Sequence, residues 1–233
     1  MRKSKLYAAQ QATFNSQERY EVQAALELLK AMPHVKFDET VEMHLKLGVD
    51  PRKSDQNVRG AVPLPAGTGK LVRVAVVADG AQADEAREAG AEFVGYEDIV
   101  QRIKEGWQDF DILIATPDAM KLVRPLGRQL GPRGLMPNPK TGTVTEAIGA
   151  AVREAKAGRV EFRTDKGGCV HVPIGKLSFD LSGLTANFDA VFSALLKAKP
   201  ATSKGAYILS CVVASTMSPG IKVNAKEQSK VKP

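Results

Sequence analysis

The sequence has few of the residues that build metal centres and disulfide frameworks. Its 233 residues include two cysteines, Cys169 and Cys211, and three histidines, His34, His44 and His171. The cysteines lack the short spacing of a metal site, and the histidines are widely separated along the chain. We therefore expect no bound metal, and two free thiols in a reducing cytoplasm.

Long apolar runs are also lacking. No stretch approaches the roughly 20 apolar residues that cross a bilayer. The basic start MRKSKLY is not followed by the apolar core of a signal peptide. We expect a cytoplasmic protein without membrane contact.

Nucleotide-binding motifs are incomplete. The stretch AGTGK at 66–70 is similar to the end of a phosphate-binding loop. Leu64, however, occupies the place of the first glycine of such a loop, and Leu71 that of its Ser or Thr. Asp165 and His171 flank a turn with no nucleophile beside them. We expect no cofactor and no enzyme; a nucleotide-dependent RNA-modifying enzyme is the alternative.

Positive charge is what the sequence does have. The formal net charge is +7, which favours a polyanionic partner. The stretch 68–158 holds slightly more acids than bases, so the excess of positive charge lies on the two ends of the chain.

The two ends share one kind of pattern. We interpret the first 15 residues as a basic arm, followed by a helix with Ser16 as N-cap and Pro33 as its end. Apolar residues alternate with polar ones at 39–47, which predicts a half-buried strand. A linker or hinge is predicted at 48–69. Near the other end we predict a hairpin around Lys166, Gly167 and Gly168, a helix at 184–197, a strand at 206–216 and a basic tail.

The middle of the chain has another pattern. LVRVAVVA at 71–78 and DILIAT at 111–116 are nearly continuous apolar runs, as expected of strands that are covered on both faces. Helical patterns alternate with them, with a brief strand at 93–94 and helices at 83–89, 97–105, 117–128 and 145–157. The predicted fold is therefore α+β with inserted α/β. A discontinuous antiparallel-sheet domain, 1–67 and 159–233, carries a three-layer parallel-sheet, Rossmann-like domain, 68–158.

A loop of unusual composition is predicted at 130–143, LGPRGLMPNPKTGT. Its prolines and glycines exclude a helix or an interior strand. No acid occurs between Asp118 and Glu146, whereas Arg128, Arg133 and Lys140 are basic. A stiff basic loop suits a phosphate backbone, and the alternative is a crossover connection with solvated charges.

Several segments along nearly the whole chain resemble one family. They are VKFDETVEMHLKLGVDPRKSDQNVRG, LGRQLGPRGLMPNPKTGTV, VEFRTDKGGCVHVPIGKLSF, KAKPATSKGAYI and STMSPGIKVN. They closely resemble the ribosomal protein L-one family, the universal large-subunit protein of the mobile stalk beside the tRNA exit site. Bacterial members have a discontinuous first domain and an inserted second domain.

The resemblance implies a function and a set of partners. Family members are structural constituents of the large ribosomal subunit that bind large-subunit ribosomal RNA, mainly through the first domain, and assist release of deacylated tRNA. Many bacterial members also repress translation of their own mRNA. The implied partners are large-subunit ribosomal RNA, exit-site tRNA and the leader of the protein's own mRNA. We expect a monomer off the ribosome.

The resemblance also implies RNA-contact residues. Carried over by position, these are Lys36, Phe37, Thr40, Glu42, Ser210, Thr216 and Met217. From the residues alone, Phe37 fits either a core position or an aromatic contact to RNA beside Lys36. We add the neighbouring Lys46, Lys166, Ser218 and Gly220, and we assign auxiliary RNA contacts to Arg128, Arg133 and Lys140.

Two positions depart from the family pattern. Ser218 stands where the family usually has glycine, which weakens the case for close backbone approach at that turn. Leu209 stands where the family usually has a base, which predicts one phosphate contact fewer.

Overall fold

The computed structural model describes residues 4–224, apart from the side chain of Lys140. In these residues the helices are α1 (Lys5–Gln11), α2 (Val22–Ala31), α3 (Ala81–Glu88), α4 (Glu97–Lys104), α5 (Met120–Val123), α6 (Gly127–Leu130), α7 (Ile148–Lys156) and α8 (Leu181–Lys197). The strands are β1 (Thr40–Leu47), β2 (Arg59–Pro63), β3 (Val74–Val77), β4 (Phe93–Gly95), β5 (Ile112–Ala115), β6 (Arg159–Arg163), β7 (Cys169–Lys176), β8 (Ile208–Ser215) and β9 (Ile221–Val223). Short 3-10 helices cover Ser54–Gln56, Arg124–Leu126 and Pro139–Thr141.

The chain divides into two compact units. Unit 1 comprises Met1–Gly69 and Val160–Pro233, and unit 2 comprises Lys70–Arg159. Unit 1 contains an antiparallel sheet and unit 2 a parallel sheet. The predicted mixture of helices with an antiparallel and a parallel sheet is therefore confirmed.

Unit 1 is built on a four-stranded sheet with the order β7-β1-β8-β9, in which all neighbours are antiparallel. Val41, Met43, Leu45 and Leu47 of β1 are buried, as their alternation predicts. They pack in one core with the apolar faces of α2 and α8. Among residues 4–224, no helix packs through this core onto the opposite face of the sheet, which carries the polar residues of β1.

Helix α8 is fastened to the rest of unit 1 by a buried amide. Asn187 has no exposed surface. Its Nδ2 donates to the carbonyl oxygens of Gly67 (2.9 Å) and Ile174 (2.7 Å), and its Oδ1 accepts from the amide of Ala66 (2.9 Å). One side chain thus satisfies three main-chain groups of two segments distant in sequence.

Unit 2 is a three-stranded parallel sheet with the order β4-β3-β5. Every residue of β3 is buried. Ala75 and Val77 pack with residues of α4, α5 and α6, whereas Val74 and Val76 pack with residues of α3 and α7. Because successive side chains of a strand point to opposite faces, helices cover both faces of the sheet.

The first part of the chain is wrongly predicted. The expected arm contains α1, which Ser4 caps by accepting from the amide of Tyr7 (3.1 Å). Ser16 is not an N-cap, because α2 begins at Val22 with Glu21 in that position. The residues between instead reach the sheet, where the amide of Tyr20 donates to the carbonyl of Lys222 (2.9 Å). That contact joins residues about two hundred positions apart, so no local pattern could predict it.

Two connections also differ from prediction. The expected linker at 48–69 contains β2, which pairs with β6. The expected hairpin of β6 and β7 is also absent from the described residues: the turn at Asp165–Cys169 is tight, but β6 and β7 belong to different sheets and β7 pairs with β1. The expected basic tail begins later than predicted, because β9 pairs with β8; the tail beyond 224 lies outside the described residues.

The predicted loop at 130–143 is ordered by its own hydrogen bonds and contains the 3-10 turn Pro139–Thr141. Thr143 Oγ1 accepts from the amide of Asn138 (2.8 Å), and the carbonyl of Thr143 accepts from the amide of Ala115 (3.0 Å). The helix expected at 117–128 is broken into α5, a 3-10 turn and α6. Pro125 lies at the break, where it cannot donate to the preceding turn.

Replacing Asn187 with leucine should destabilise unit 1. The substitution keeps the volume but leaves the amide of Ala66 and the carbonyls of Gly67 and Ile174 without their partner. We expect the free energy of unfolding to fall by about 2–4 kcal/mol, measured by urea denaturation with far-UV circular dichroism. The exposed Ser193→Ala on the same helix is the control. The unfolding transition followed by the fluorescence of Trp107, which belongs to unit 2, should stay at the same urea concentration. An unchanged circular dichroism transition would contradict the role given to Asn187.

Candidate nucleic-acid interface

The start of β1 lies beside the end of β8. In the antiparallel register Val41 pairs with Ser215 and Thr40 follows the loop that contains Phe37. Thr216 and Met217 come directly after β8. Two segments that are far apart in sequence, 36–40 and 216–218, therefore form one edge of unit 1.

A buried carboxylate holds these two segments together. Glu39 has no exposed surface. Its oxygens accept hydrogen bonds from the Ser215 hydroxyl (2.6 Å), the Met217 amide (2.9 Å) and the Val35 amide (3.3 Å). His34 Nδ1 lies 3.0 Å from the same carboxylate. The sequence reasoning missed Glu39, because its buried partners Ser215 and Met217 lie about 176 positions away and leave no local signal.

The hydrogen bonds to Glu39 set its ionisation. Burial acts to raise the pKa of Glu39, and the hydrogen bonds from Ser215, Met217, Val35 and His34 lower it by more. The resulting pKa lies below the ordinary value of 4.5. The group is therefore a carboxylate near neutral pH, which makes these hydrogen bonds charge-assisted and strong.

Thr216 and Thr40 form a second link between the segments. Thr216 Oγ1 accepts from the amide of Thr40 (3.1 Å) and lies 3.4 Å from its carbonyl oxygen. The Thr40 hydroxyl in turn accepts from Lys176 Nζ (2.9 Å). Two of the predicted contact residues are thus brought together, and a lysine of β7 is added to them.

Two large apolar side chains are exposed at this edge. Phe37 is 54 % exposed and Met217 is 51 % exposed. The core interpretation of Phe37 is therefore wrong. The aromatic ring of Phe37 and the polarisable thioether of Met217 are exposed on segments that Glu39 fixes. They offer surfaces on which a nucleic-acid base can stack.

The open face of the sheet carries polar and basic groups. Glu42, His44 and Lys46 follow each other on β1, and Ser210 of β8 pairs with Lys46. Lys46 Nζ contacts the carbonyl of Gly167 in the turn where Lys166 is exposed. Of the predicted site residues, Glu42, Lys46, Lys166 and Ser210 therefore lie on or next to this face.

Two histidines meet at the centre of the same face, and the sequence reasoning did not pair them. His44 and His171 are opposite each other in the β1–β7 register, with 2.8 Å between their Nδ1 atoms. Glu42 and Asp165 lie 3.7 Å from the outer nitrogens of His44 and His171, respectively. Burial, and next the neighbouring His171, lower the pKa of His44 below 6.5, while Glu42 opposes the shift.

Asp165 is mainly a turn residue. Its Oδ1 accepts from the amides of Cys169 (2.7 Å) and Gly167 (2.8 Å). The Cys169 amide is the main reason that the pKa of Asp165 is lowered. Oδ1 therefore closes the turn, whereas Oδ2 lies 3.7 Å from Nε2 of His171.

The departures from the family pattern have structural counterparts. Ser218 Oγ accepts from the amide of Ser215 (2.8 Å), so its side chain closes the turn after β8. A β-carbon on Gly220 would lie 2.6 Å from Val212 Cγ1, so glycine is needed there for packing. Leu209 is 51 % exposed.

The predicted auxiliary residues belong to unit 2. Arg128 is exposed on α6 and Arg133 is exposed in the loop that follows. Lys140 lies in the 3-10 turn of that loop. They share no element with the Glu39 edge.

In the range 4–224, no three His, Cys, Asp or Glu side chains are grouped as a metal site. No helix of that range has the length and apolar character needed to span a bilayer.

An open polar face with exposed lysines, hydroxyls and stacking surfaces is typical of structural nucleic-acid-binding proteins. The model of the family described as "Ribosomal protein L1p/L10e family" matches residues 28–219. The "Large ribosomal subunit protein uL1" of Gemmatimonas aurantiaca is 57 % identical over 205 residues, which cover 88 % of this chain and 89 % of that protein.

The chain therefore belongs to the ribosomal protein L1 family, and the resemblance to the L-one family is confirmed. It is a structural constituent of the large ribosomal subunit and not an enzyme. The alternative of a nucleotide-dependent RNA-modifying enzyme is wrong.

The Glu39→Gln variant should be less stable and less sensitive to acid. The NH2 group of glutamine would face the hydroxyl and amide groups that donate to Glu39. We therefore expect the free energy of unfolding to fall by about 2–4 kcal/mol at neutral pH. Because the folded-state pKa is lowered, the carboxylate contributes stability above about pH 4.5 that is lost as pH falls through the folded-state value. Denaturation curves at several pH values should show a smaller acid loss in Glu39→Gln than in the wild type.

The exposed Glu27→Gln is the matched control for this measurement. It makes the same change from carboxylate to amide at an exposed position of α2, where no buried hydrogen bond is lost. Equal acid profiles for wild type and Glu39→Gln would overturn the role given to the carboxylate.

Proposed function

We propose that the open face of unit 1 binds large-subunit ribosomal RNA at the mobile stalk near the tRNA exit site. The observation that carries this proposal is the edge at Glu39. There the main chain is fixed by its hydrogen bond to Glu39, and Phe37 and Met217 are exposed beside the exposed Lys36. Stacking on Phe37 supplies affinity that tolerates different bases, and the lysines supply phosphate contacts.

The proposed contact residues are those of the sequence prediction: Lys36, Phe37, Thr40, Glu42, Lys46, Lys166, Ser210, Thr216, Met217, Ser218 and Gly220. They belong to a discontinuous RNA-binding domain, 1–67 and 159–233, that carries an inserted three-layer domain, 68–158. Hydroxyls of Thr40, Ser210 and Thr216 suit ribose and phosphate oxygens, so the surface recognises RNA mainly by shape.

The inserted domain has an auxiliary role in this proposal. Arg128, Arg133 and Lys140 contact ribosomal RNA or exit-site tRNA, and through the latter the protein assists release of deacylated tRNA. The ordered loop at 130–143, with its exposed Arg133, supports this assignment because it offers charge on a fixed backbone.

The same face also binds the leader of the protein's own mRNA and represses its translation. A surface that reads RNA shape accepts a second RNA with a similar fold, so ribosome binding and repression are alternatives for one site. The protein acts in the cytoplasm and is a monomer off the ribosome.

Removing the stacking or the hydroxyl contact should weaken binding to protein-free large-subunit ribosomal RNA. We expect Phe37→Ala or Thr216→Val to reduce the binding free energy by about 1–3 kcal/mol, measured by filter binding at fixed salt. The control is Leu71→Ala, which removes a side chain that is 95 % exposed elsewhere. Wild-type affinity in both test variants would refute the proposed surface.

Neutralising the loop should separate the two roles. The triple variant Arg128→Gln, Arg133→Gln and Lys140→Gln should keep its affinity for protein-free ribosomal RNA within about twofold, because unit 1 supplies the main contacts. Release of deacylated tRNA from ribosomes that carry the variant should be slower. A large loss of primary RNA affinity would instead make the loop the principal site.

A further inference from the structure

A groove lies at the edge of the antiparallel sheet, where β8, β9 and the segment before α2 meet. It encloses about 250 Å³ and is lined by Arg19, Leu209, Ser210, Val212 and Lys222, among others. Clefts that hold free drug-sized ligands usually enclose about 300–1,000 Å³. The groove therefore fits one part of a larger molecule.

The backbone brings two cations to this groove. Tyr20 extends the sheet beside β9: its amide donates to the carbonyl of Lys222 (2.9 Å), and its carbonyl accepts from Asn224 (2.9 Å). Lys222 is exposed between the buried Ile221 and Val223, so its side chain leaves the sheet on the face away from the core. Arg19 is exposed next to Tyr20 and lines the same groove.

Leu209 is turned outward by an irregularity of the sheet. Lys46 pairs with Ser210 and Leu47 pairs with Ile208, so Leu209 is an extra residue between two paired ones. An extra residue of this kind bends its strand and redirects its side chain. This explains why a leucine within a strand is 51 % exposed.

The charge of the groove is one-sided. Among residues 4–224, no carboxylate forms an ion pair with Arg19 or Lys222. Two cations without an acid, above an apolar floor with the Ser210 hydroxyl beside it, suit a ligand that has a flat face and an anion close to it. A nucleotide has both features.

We propose that this groove holds one nucleotide of the RNA that the open face binds; the inference rests on the proposed function. The phosphate lies on Arg19 and Lys222, and the nucleoside lies against Leu209. The groove continues directly into the proposed RNA surface, because Ser210 lines the groove and pairs with Lys46. Arg19 and Lys222 thereby supply the phosphate contact that the sequence predicted to be lost at Leu209.

An acidic protein segment is the competing occupant. It would use the two cations but has no need of the apolar side chains, such as Leu209, that line the groove beside the open face. The same variants distinguish the two occupants when they are tested with RNA and with poly-glutamate.

The test measures binding of the full chain to protein-free large-subunit ribosomal RNA over a range of salt concentrations. We expect Arg19→Ala with Lys222→Ala to weaken binding about 10- to 100-fold at low salt. The slope of log affinity against log salt should fall by about one, since the groove holds one phosphate and each lost phosphate contact reduces the slope by about 0.7–0.9. Leu209→Ser should weaken binding about fivefold with an unchanged slope, because an uncharged contact releases no counterion.

The matched control is Lys197→Ala with Lys199→Ala. These lysines are exposed at the end of α8, which packs on the core side of the sheet, so the same charge is removed from the opposite side. Circular dichroism of each variant checks that it is folded.

The outcomes separate this inference from the proposed function. If Phe37→Ala weakens RNA binding while the Arg19/Lys222 variant behaves like the control, the groove is not an RNA site and the proposed function stands. If the Arg19/Lys222 variant loses poly-glutamate binding but keeps RNA affinity, the occupant is an acidic segment and the inference is overturned. If the wild type does not bind the RNA, both fail.

Discussion

The carboxylate of Glu39 is the constraint on which the proposed RNA surface depends. It lies without solvent between the start of β1 and the end of β8, and its oxygens accept from Ser215, Met217 and Val35. A buried charge is tolerated when it is fully hydrogen-bonded. The donors are main chain and side chain of the loops that present Phe37 and Met217, so satisfying the charge also fixes those loops.

Fixing the loops has a consequence for binding. An exposed aromatic ring on a flexible loop loses conformational freedom when a ligand stacks on it, and that loss opposes binding. Held by Glu39 on one side and by the Thr216–Thr40 hydrogen bond on the other, the edge has already lost much of that freedom on folding. The pKa of Glu39, lowered by these hydrogen bonds, keeps the arrangement intact at neutral pH.

The open face of unit 1 follows from a sheet covered on one side. Helices α2 and α8 pack on the apolar residues of β1, β7 and β8, and the polar alternates face away from that core. That face carries Lys46, Ser210 and the His44–His171 pair, and the groove of Arg19 and Lys222 extends it at the β9 edge. Unit 2 differs because helices cover both faces of its sheet, which leaves no open sheet face among its described residues.

The sequence by itself determined the periodic features. The alternation of β1, the apolar face of α2, the buried run of β3 and the inward face of α8 are all set by spacing along one element, and the structure agrees with each. The family resemblance added the predicted contact residues. The structure shows that two of them, Thr40 and Thr216, lie close together at the β1–β8 edge. Local patterns predict these features because a helix or strand that is buried on one face needs apolar residues at a regular repeat.

The tertiary structure decided what depends on pairing between distant residues. The hydrogen bonds of Glu39, the meeting of His44 with His171, the separation of β6 from β7 and the docking of Tyr20 on β9 each join segments that no local repeat relates. The outward turn of Leu209 likewise arises from the register between two strands. Long-range register is set by which elements pack together, and the residues of one segment cannot specify it alone.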